Sequence, residues 1–188
     1  MAYHHGDLRR AVLDAAVEVI ASDGPVAVSL RDLARRAGVS HAAPAHHFKD
    51  KAGLLTAIAI EGYGLLADAL AAQPQELREQ GVRYVRFALD HPAHFAVMFR
   101  PDLYHREDPE LVTARERAGH LLRGGVGALP AGRRGRDQQA ASLAAWSLAH
   151  GFATLWLGDN LPGGRDPAHL FRSVAALLYP PTTSTVDG

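Results

Sequence analysis

The segment from residue 29 to residue 51 constrains the fold of this chain more than any other stretch. It reads SLRDLARRAGVSHAAPAHHFKDK. A serine, a good N-cap residue, is followed by Leu30, Leu33 and Ala34 at helical spacing. Gly38 then supplies the permissive backbone that a helix end needs. We therefore expect two short helices joined by a tight glycine turn. That is the layout of a helix-turn-helix, which offers one helix to the DNA major groove.

The residues after the glycine predict the second helix. Val39 is apolar within the turn and is expected to fill the space between the two helices. Ser40 is the predicted N-cap of the second helix. Pro44 stands early in that helix, where a missing N–H group costs least.

The local charge favours contact with phosphate. Residues 29–51 carry five Lys or Arg against two acids, whereas the whole chain carries 20 basic and 20 acidic residues. Cations near phosphates release counterions and supply most of the non-specific affinity for DNA. An ordinary helical hairpin with a solvated basic face is the alternative. The order of cap, glycine, apolar turn residue and second cap favours the DNA-binding interpretation.

Residues 8–60 resemble the TetR family of bacterial transcriptional regulators. The resemblance rests on a first helix around Leu8–Ser22, on Gly24, and on the motif elements Ser29-Leu-Arg-Asp-Leu-Ala, Ala37-Gly-Val-Ser40, His47-Phe48, Lys51 and Leu54-Leu55. Two further stretches, Tyr3–Leu8 and Trp146-Ser-Leu-Ala-His150-Gly151, are similar to the start and to the C-terminal Trp…His-Gly signature of one subgroup. Together these stretches extend the resemblance over most of the chain.

The resemblance implies which residues contact DNA. The family's phosphate contacts carry over to Ser29, His47 and Lys51. Ala45 stands where the family commonly has a phosphate-binding Tyr, so one expected contact is missing. The full set of predicted DNA-binding residues is Ser29, Arg31, Ser40, His41, Ala42, Ala45, His46, His47 and Lys51.

Base reading is expected from the exposed face of the second helix. Alanines offer a base only apolar contact, such as with a thymine methyl group, so His41 and His46 are the expected hydrogen-bonding readers. An unperturbed histidine has a pKa of about 6.5, which predicts modest, salt-sensitive and pH-dependent binding.

The remaining sequence reads as helix throughout. Apolar residues recur at helical spacing, no strand pattern stands out, and 47% of the 188 residues are hydrophobic. We predict an all-α protein of about nine helices. Residues 1–51 form a three-helix DNA-binding domain, and residues 52–188 form a ligand-binding bundle that dimerises. Pro74 is expected to open a helix, Gly124–Gly135 to form a mobile loop, and Pro180–Gly188 to be disordered.

The last two predicted helices, 137–158 and 167–179, carry more apolar surface than one subunit needs. A symmetric homodimer is the commonest way to cover such a surplus. It also sets two reading helices about 34 Å apart, one turn of DNA. The alternative is that both faces pack within one large monomeric core. Residues 138–158 contain no charge, but their scattered polar residues favour a buried helix over a membrane span.

Aromatic residues of the C-terminal half are candidates for an effector site, because ligand sites are mostly apolar with a few orienting polar groups. The candidate residues are Phe87, Phe95, Met98, Phe99, Trp146, Ser147, His150 and Thr154. The family resemblance implies a small apolar or aromatic effector that shifts the protein away from its DNA-competent state. The alternative is that the aromatic side chains are only core.

Composition limits the other functions. The chain has no cysteine, which excludes disulfides and thiolate metal sites. Its N-terminal residues are polar where a leader would be apolar, so a cytoplasmic location is expected. Eleven histidines form no tight metal motif, and no cofactor or metal is predicted.

The leading hypothesis is a homodimeric repressor released from its DNA operator by a small effector. A metal-dependent enzyme built on the His-rich C-terminal half and a transcriptional activator are the alternatives.

Overall fold

The computed structural model describes residues 5–40, 42–72, 76–127 and 137–179. Within these ranges every regular element is helical, which confirms the all-α prediction. The elements are α1 (His5–Asp23), a short 3-10 helix (Pro25–Ala27), α2 (Leu30–Arg36), α3 (Ala43–Phe48), α4 (Lys51–Ala71), α5 (Leu77–Asp90), α6 (Pro92–Met98), α7 (Pro109–Gly127), α8 (Gln138–Leu157) and α9 (Pro167–Leu178).

The chain divides into two compact units. The first consists of Met1–Leu65 and His91–Ala118, and the second of Leu66–Asp90 and Gly119–Gly188. The predicted functional boundary between residues 51 and 52 does not coincide with this division. That boundary stays a prediction, because compactness does not test which residues serve which function.

The first unit is built around α1, which packs against α2, α3, α6 and the 3-10 helix. Its core contains Val12, Ala16, Leu33, Leu54 and Ile58, each without exposed surface. Burial of a large apolar side chain contributes about 1.5–3 kcal/mol. This core fixes α2 and α3 on one side of α1 and leaves their other faces in solvent.

The second unit is built around α5, which packs against α8 and α9. Gly81 lets α5 approach α9 closely, since a Cβ at this position would lie 2.6 Å from Cε1 of Phe171. Arg172 also donates to both carboxylate oxygens of Glu79, at 2.7 and 2.9 Å. This bidentate pair fixes the register between the two helices.

The observed helix ends differ from the predicted ones at the end of α7. The predicted loop at Gly124–Gly135 is wrong at its start, because α7 continues to Gly127. The rest of that loop lies outside the described residues, as do Pro74 and the C-terminal tail 180–188. The helices predicted at 137–158 and 167–179 are confirmed as α8 and α9.

One described helix, α4, is long and apolar enough to cross a bilayer by length and composition alone. Of the most apolar stretch of α4, 61% is buried inside the protein, as is typical of a core helix. The uncharged stretch 138–158 contains α8, which is not apolar enough by the same criteria of length and composition.

Candidate DNA interface and effector residues

The turn between α2 and α3 is a glycine-terminated helix end. Gly38 has φ +66°, in the left-handed region that favours glycine. The N–H of Val39 donates to the carbonyl of Ala34 at 3.0 Å, and that of Gly38 to the carbonyl of Arg35 at 3.3 Å. These two bonds form a Schellman motif. The predicted glycine turn is therefore present.

The caps of these helices differ from the prediction. Ser29 is the N-cap residue of α2, but its exposed hydroxyl makes no capping hydrogen bond. Ser40 does not cap α3, which begins at Ala43 with Ala42 as its N-cap residue. Pro44 within the first turn sets this start, because its missing N–H costs least there. The hydroxyl of Ser29 is thus not engaged in holding its own helix.

One side of α3 is buried and the other faces solvent. Pro44 and Phe48 are buried against the first unit, whereas Ala42, Ala45 and His46 are exposed. His47 is half-buried, and its ring meets that of His46 edge to face at 5.6 Å. His41, the other predicted base reader, lies outside the described residues. The exposed face therefore carries the small surface and the histidine that the prediction requires.

The arginines of α2 are of two kinds. Arg35 and Arg36 bind the carboxylate of Asp32 at 2.6 and 2.7 Å, and these bonds hold the pKa of Asp32 below its usual range. Arg31 is exposed and makes no ion pair within the described ranges. The local positive charge is thus partly neutralised on α2. Arg31 remains the arginine most available to a phosphate.

Lys51 occupies the first position of α4 and has a contact that the sequence does not predict. Its ammonium group donates to the carbonyl oxygen of Val26 in the 3-10 helix at 2.6 Å. An ammonium group has three N–H donors, so this bond leaves donors for a phosphate. The contact holds the predicted phosphate-binding group next to the segment that leads into α2.

The junction between α3 and α4 is unusually short. Lys49 has φ +65° and ψ −60°, and the N–H of Asp50 donates to the carbonyl of Phe48 at 2.8 Å. The carboxylate of Asp50 then accepts from the N–H of Gly53 at 2.7 Å, which caps α4. The chain therefore passes from one helix to the next with only two residues between them.

Three of the predicted effector residues lie in the first unit and form part of its core. Phe95 and Met98 are buried, and the rings of Phe95 and Phe99 pack edge to face at 5.2 Å. The hydroxyl groups of Tyr63 and Tyr104 both donate to the carbonyl of Met98, at 3.1 and 2.8 Å. Burial raises the pKa of both tyrosines.

The other predicted effector residues lie in the second unit. There the hydroxyl of Tyr84 lies 2.9 Å from Nδ1 of His150, and Nε1 of Trp146 donates to that hydroxyl at 3.2 Å. Burial lowers the pKa of His150, so its ring is neutral at pH 7. We assign the Tyr84 proton to the bond with Nδ1, because the Tyr84 oxygen accepts from Trp146. Phe87 is buried in the same unit.

A cavity of about 30 Å³ adjoins this network, lined by Gln80, Tyr84, Trp146, Phe171 and Tyr179 among others. It has room for one or two water molecules and not for a drug-sized ligand. Ser147 and Thr154 are exposed. Ser147 lines an open apolar groove of about 510 Å³ with side chains of α8 and α9, including Leu155, Leu170 and Val174.

His94 is a buried histidine in the first unit. Its Nε2 lies 3.6 Å from Oε1 of Glu61 and makes no hydrogen bond in the described part of the chain. Arg10 donates to both oxygens of that carboxylate, at 2.9 and 3.0 Å. The rings of His91 and His94 meet edge to face at 5.8 Å. Across the described residues, no group of three or more His, Asp or Glu is arranged to hold a metal.

Two features of these sites cannot be predicted from the sequence. Tyr84 carries no motif that marks it as the bridge between Trp146 and His150. The positive φ of Lys49 has no glycine to signal it. The sequence predicts the glycine turn between α2 and α3 and the helices that the spacing of apolar residues marks.

Two family models match the chain. Residues 12–58 match the model described as bacterial regulatory proteins, tetR family. Residues 77–178 match the Tetracyclin repressor-like, C-terminal domain, which covers more than half of the chain. The match does not confirm the predicted subgroup with a Trp…His-Gly signature, which stays a prediction.

Relatives and solved structures agree with these matches. The HTH-type transcriptional regulator BetI of Cronobacter sakazakii (strain ATCC BAA-894) is 31% identical, covering 82% of this chain and 80% of its own. A protein with unknown function from Rhodococcus sp. RHA1 is 33% identical, with a TM-score of 0.78 over 95% of this chain and 97% of its own. AibR, solved in complex with isovaleryl coenzyme A and operator DNA, has a TM-score of 0.65 over 93% and 99%. At 16% identity this last likeness shows the fold alone.

Proposed function

Because this chain belongs to the TetR family of transcriptional regulators, we propose that it is a homodimeric repressor whose hold on its operator is controlled by a small molecule. DNA binding by the helix-turn-helix follows from the family. Repression, the effector and the dimer surface are the proposal. Since members of the TetR family are transcriptional regulators, the chain is not an enzyme. This excludes the alternative of a metal-dependent enzyme.

The observation that carries the proposal is the exposed face of α3. Ala42, Ala45 and His46 present a small surface that fits the floor of a major groove. The cations Arg31 and Lys51 stand on the flanking helices α2 and α4 and have N–H donors free for phosphates. We propose that the predicted contacts Ser29, Ser40 and His47 belong to the same surface and that this set binds double-stranded operator DNA.

A homodimer would place two such faces on one operator. The second unit exposes an apolar surface on α8 and α9 that includes Leu143, Leu155, Leu157, Leu177 and Leu178, from 40% to 83% exposed. Exposed apolar patches of this kind mark interaction surfaces. We propose that a second copy of the chain covers it, through the helices predicted at 137–158 and 167–179.

Sedimentation equilibrium tests the dimer. We expect a dimer for the wild type and a monomer for Leu177→Glu, because an 83% exposed side chain can be changed without disturbing the core. Ala96→Glu, at an exposed position of α6, is the control and should remain dimeric. A wild-type monomer at micromolar concentration would contradict the proposal.

The effector is proposed to be a small apolar or aromatic molecule that binds next to the aromatic residues. Of the two groups of residues, the Tyr84–Trp146–His150 network supports an effector site better, since it combines apolar walls with polar groups. Its cavity of about 30 Å³ would have to widen to admit an effector. AibR is an instance of the same fold with both a small ligand and operator DNA bound. Such an effector must bind the DNA-free state more tightly than the DNA-bound state to release the protein.

A reporter gene behind the chain's own upstream region tests repression and its control. Deleting the regulator should raise reporter expression, and restoring it should lower expression again; the opposite signs would indicate an activator. Cells are then grown with a panel of small aromatic and aliphatic compounds, in parallel with a Trp146→Ala variant. Derepression by a compound in the wild type but not in the variant supports the site. Repression that no compound relieves argues against effector control.

A DNA-binding regulator of this family acts on chromosomal DNA, and we therefore propose a cytoplasmic location.

A further inference from the structure

The backbone at Lys49 is strained. Its φ of +65° and ψ of −60° lie in a region that side-chain-bearing residues rarely occupy. The hydrogen bond from the N–H of Asp50 to the carbonyl of Phe48, at 2.8 Å, makes Lys49 the central residue of a positive-φ γ-turn. This is the rare and strained form of the γ-turn. Glycine would adopt it without strain, yet the chain has a lysine here.

Hydrogen bonds on both sides of Lys49 hold its backbone in this conformation. Its N–H closes the last turn of α3 by donating to the carbonyl of Ala45 at 2.8 Å. Asp50 caps α4 immediately afterwards through the N–H of Gly53. Strain held by its surroundings is often found at functional sites.

The side chain of Lys49 is exposed and makes no ion pair within the described ranges. Its neighbour Asp50 is already engaged: the carboxylate accepts from Gly53 and lies 3.2 Å from Nε2 of His105. These bonds hold the pKa of Asp50 below its usual range. The nearest acid in the chain is thus committed elsewhere and leaves the lysine charge available.

Other cations stand at the same end of α3. The guanidinium of Arg9, an exposed residue of α1, lies 5.4 Å from the centre of the Phe48 ring. Lys51 follows two residues after Lys49. Positive charge from three elements therefore surrounds the C-terminal end of the helix that is expected to enter the groove. An anion beside that helix is the complement of this arrangement.

We propose that Lys49 is a further DNA-contacting residue, which binds a backbone phosphate beside the C-terminal end of α3. The strained turn holds its side chain at that position. The inference deepens the DNA-binding role and rests on it. Phosphate contacts position a protein on the duplex without reading its sequence, so the effect of Lys49 should be the same on operator and random DNA.

The test measures binding to a duplex from the chain's own upstream region and to a random duplex, between 50 and 200 mM salt. Lys49→Gln should weaken binding to both and reduce the slope of log K against log salt by about 0.9, the value for one lost phosphate contact. Lys49→Arg should keep the slope. Arg165→Gln, at an exposed position of the second unit, is the control and should leave it unchanged.

Lys49→Gly separates the strain from the charge. It should lose the same phosphate contact but raise the melting temperature, because glycine tolerates this conformation. A wild-type slope in Lys49→Gln overturns the phosphate contact, and a lower melting temperature in Lys49→Gly overturns the strain argument. If the wild type itself shows no salt-dependent binding, the DNA-binding role fails instead.

Discussion

Gly53 approaches the carbonyl oxygen of Phe48 so closely that a Cβ atom on it would lie 2.0 Å from that oxygen. This approach allows α4 to begin only two residues after α3 ends. The orientation of the proposed reading helix relative to α4 therefore depends on the absence of a side chain at one position.

We predict that Gly53→Ala destabilises the protein, although glycine to alanine normally stabilises a helix by about 1 kcal/mol. The clash involves backbone, which cannot move aside cheaply, and overpacking of this kind costs about 1–3 kcal/mol. Gly64→Ala is the matched control within the same helix, because nothing lies within 4 Å of its added Cβ. Urea denaturation should show opposite signs for the two variants; the same sign for both would contradict the close approach.

Lys51 is predicted to contribute to DNA binding more than to stability. Its bond to Val26 is exposed, and a typical hydrogen bond contributes only about 0.5–1.5 kcal/mol. Lys51→Gln should therefore cost at most about 1 kcal/mol in unfolding free energy but reduce the salt slope of DNA binding by about 0.9. Lys51→Arg, which keeps the charge, is the control. An unchanged salt slope in Lys51→Gln would show that the lysine serves only to hold Val26.

Tyr84 is predicted to hold Trp146 and His150 in place. Tyr84→Phe removes the oxygen that bridges the two rings, while the ring of residue 84 remains to fill the core. We expect a loss of about 1–3 kcal/mol in stability, since two part-buried hydrogen bonds are lost and each contributes about 0.5–1.5 kcal/mol. The fluorescence spectrum should also change, because Trp146 is one of only two tryptophans. Leu170→Ala in the nearby groove is a control for general loosening. A spectrum identical to the wild type would argue against the bridge.

Stability is predicted to fall below about pH 6.5, the ordinary pKa of histidine. Burial lowers the pKa of His94 in the folded state, with Glu61 opposing the shift and His91 and Arg10 adding to it. The unfolded chain therefore takes up a proton at a higher pH than the folded chain does, so acid favours unfolding. His150 is shifted in the same direction by burial.

Melting temperatures between pH 7.5 and 5 measure this effect. His94→Gln should flatten the curve, because glutamine does not titrate. His46→Gln is the control, since His46 is exposed, and should leave the curve unchanged. A wild-type melting temperature that does not change over this range would contradict the role assigned to the buried histidines.

Local chemistry explains which parts of the fold the sequence predicts. The turn at Gly38 is predictable because only glycine tolerates its φ easily. Pro92 opens α6, as expected from the preference of proline for the first turn of a helix. The prediction that Ser40 caps α3 is wrong, because Pro44, four residues later, determines where that helix starts. The hydroxyl of Ser29 is not used as a cap, although the residue type suits one.

Tertiary packing explains what the sequence does not predict. Helical spacing marks Phe95, Met98 and Trp146 as apolar, but it does not say which helices each one meets. The structure assigns the first two to one compact unit and Trp146 to the other. The predicted effector residues are therefore divided between the two units. Whether these aromatic residues form a ligand site or only core depends on cavities between helices. The spacing of apolar residues in the sequence cannot show such cavities.

Whether α3 reads DNA can be measured directly by a competition mobility-shift titration. The titration uses labelled duplex from the region upstream of the chain's own gene, competed with excess random duplex, at two salt concentrations. We expect a retarded complex that survives random competitor, weakens steeply with salt, and is lost in a His46→Ala, Lys51→Gln double variant that remains folded. A wild-type protein that gives no such complex at any concentration up to the micromolar range, or a double variant that binds as tightly as wild type, would contradict this role of α3.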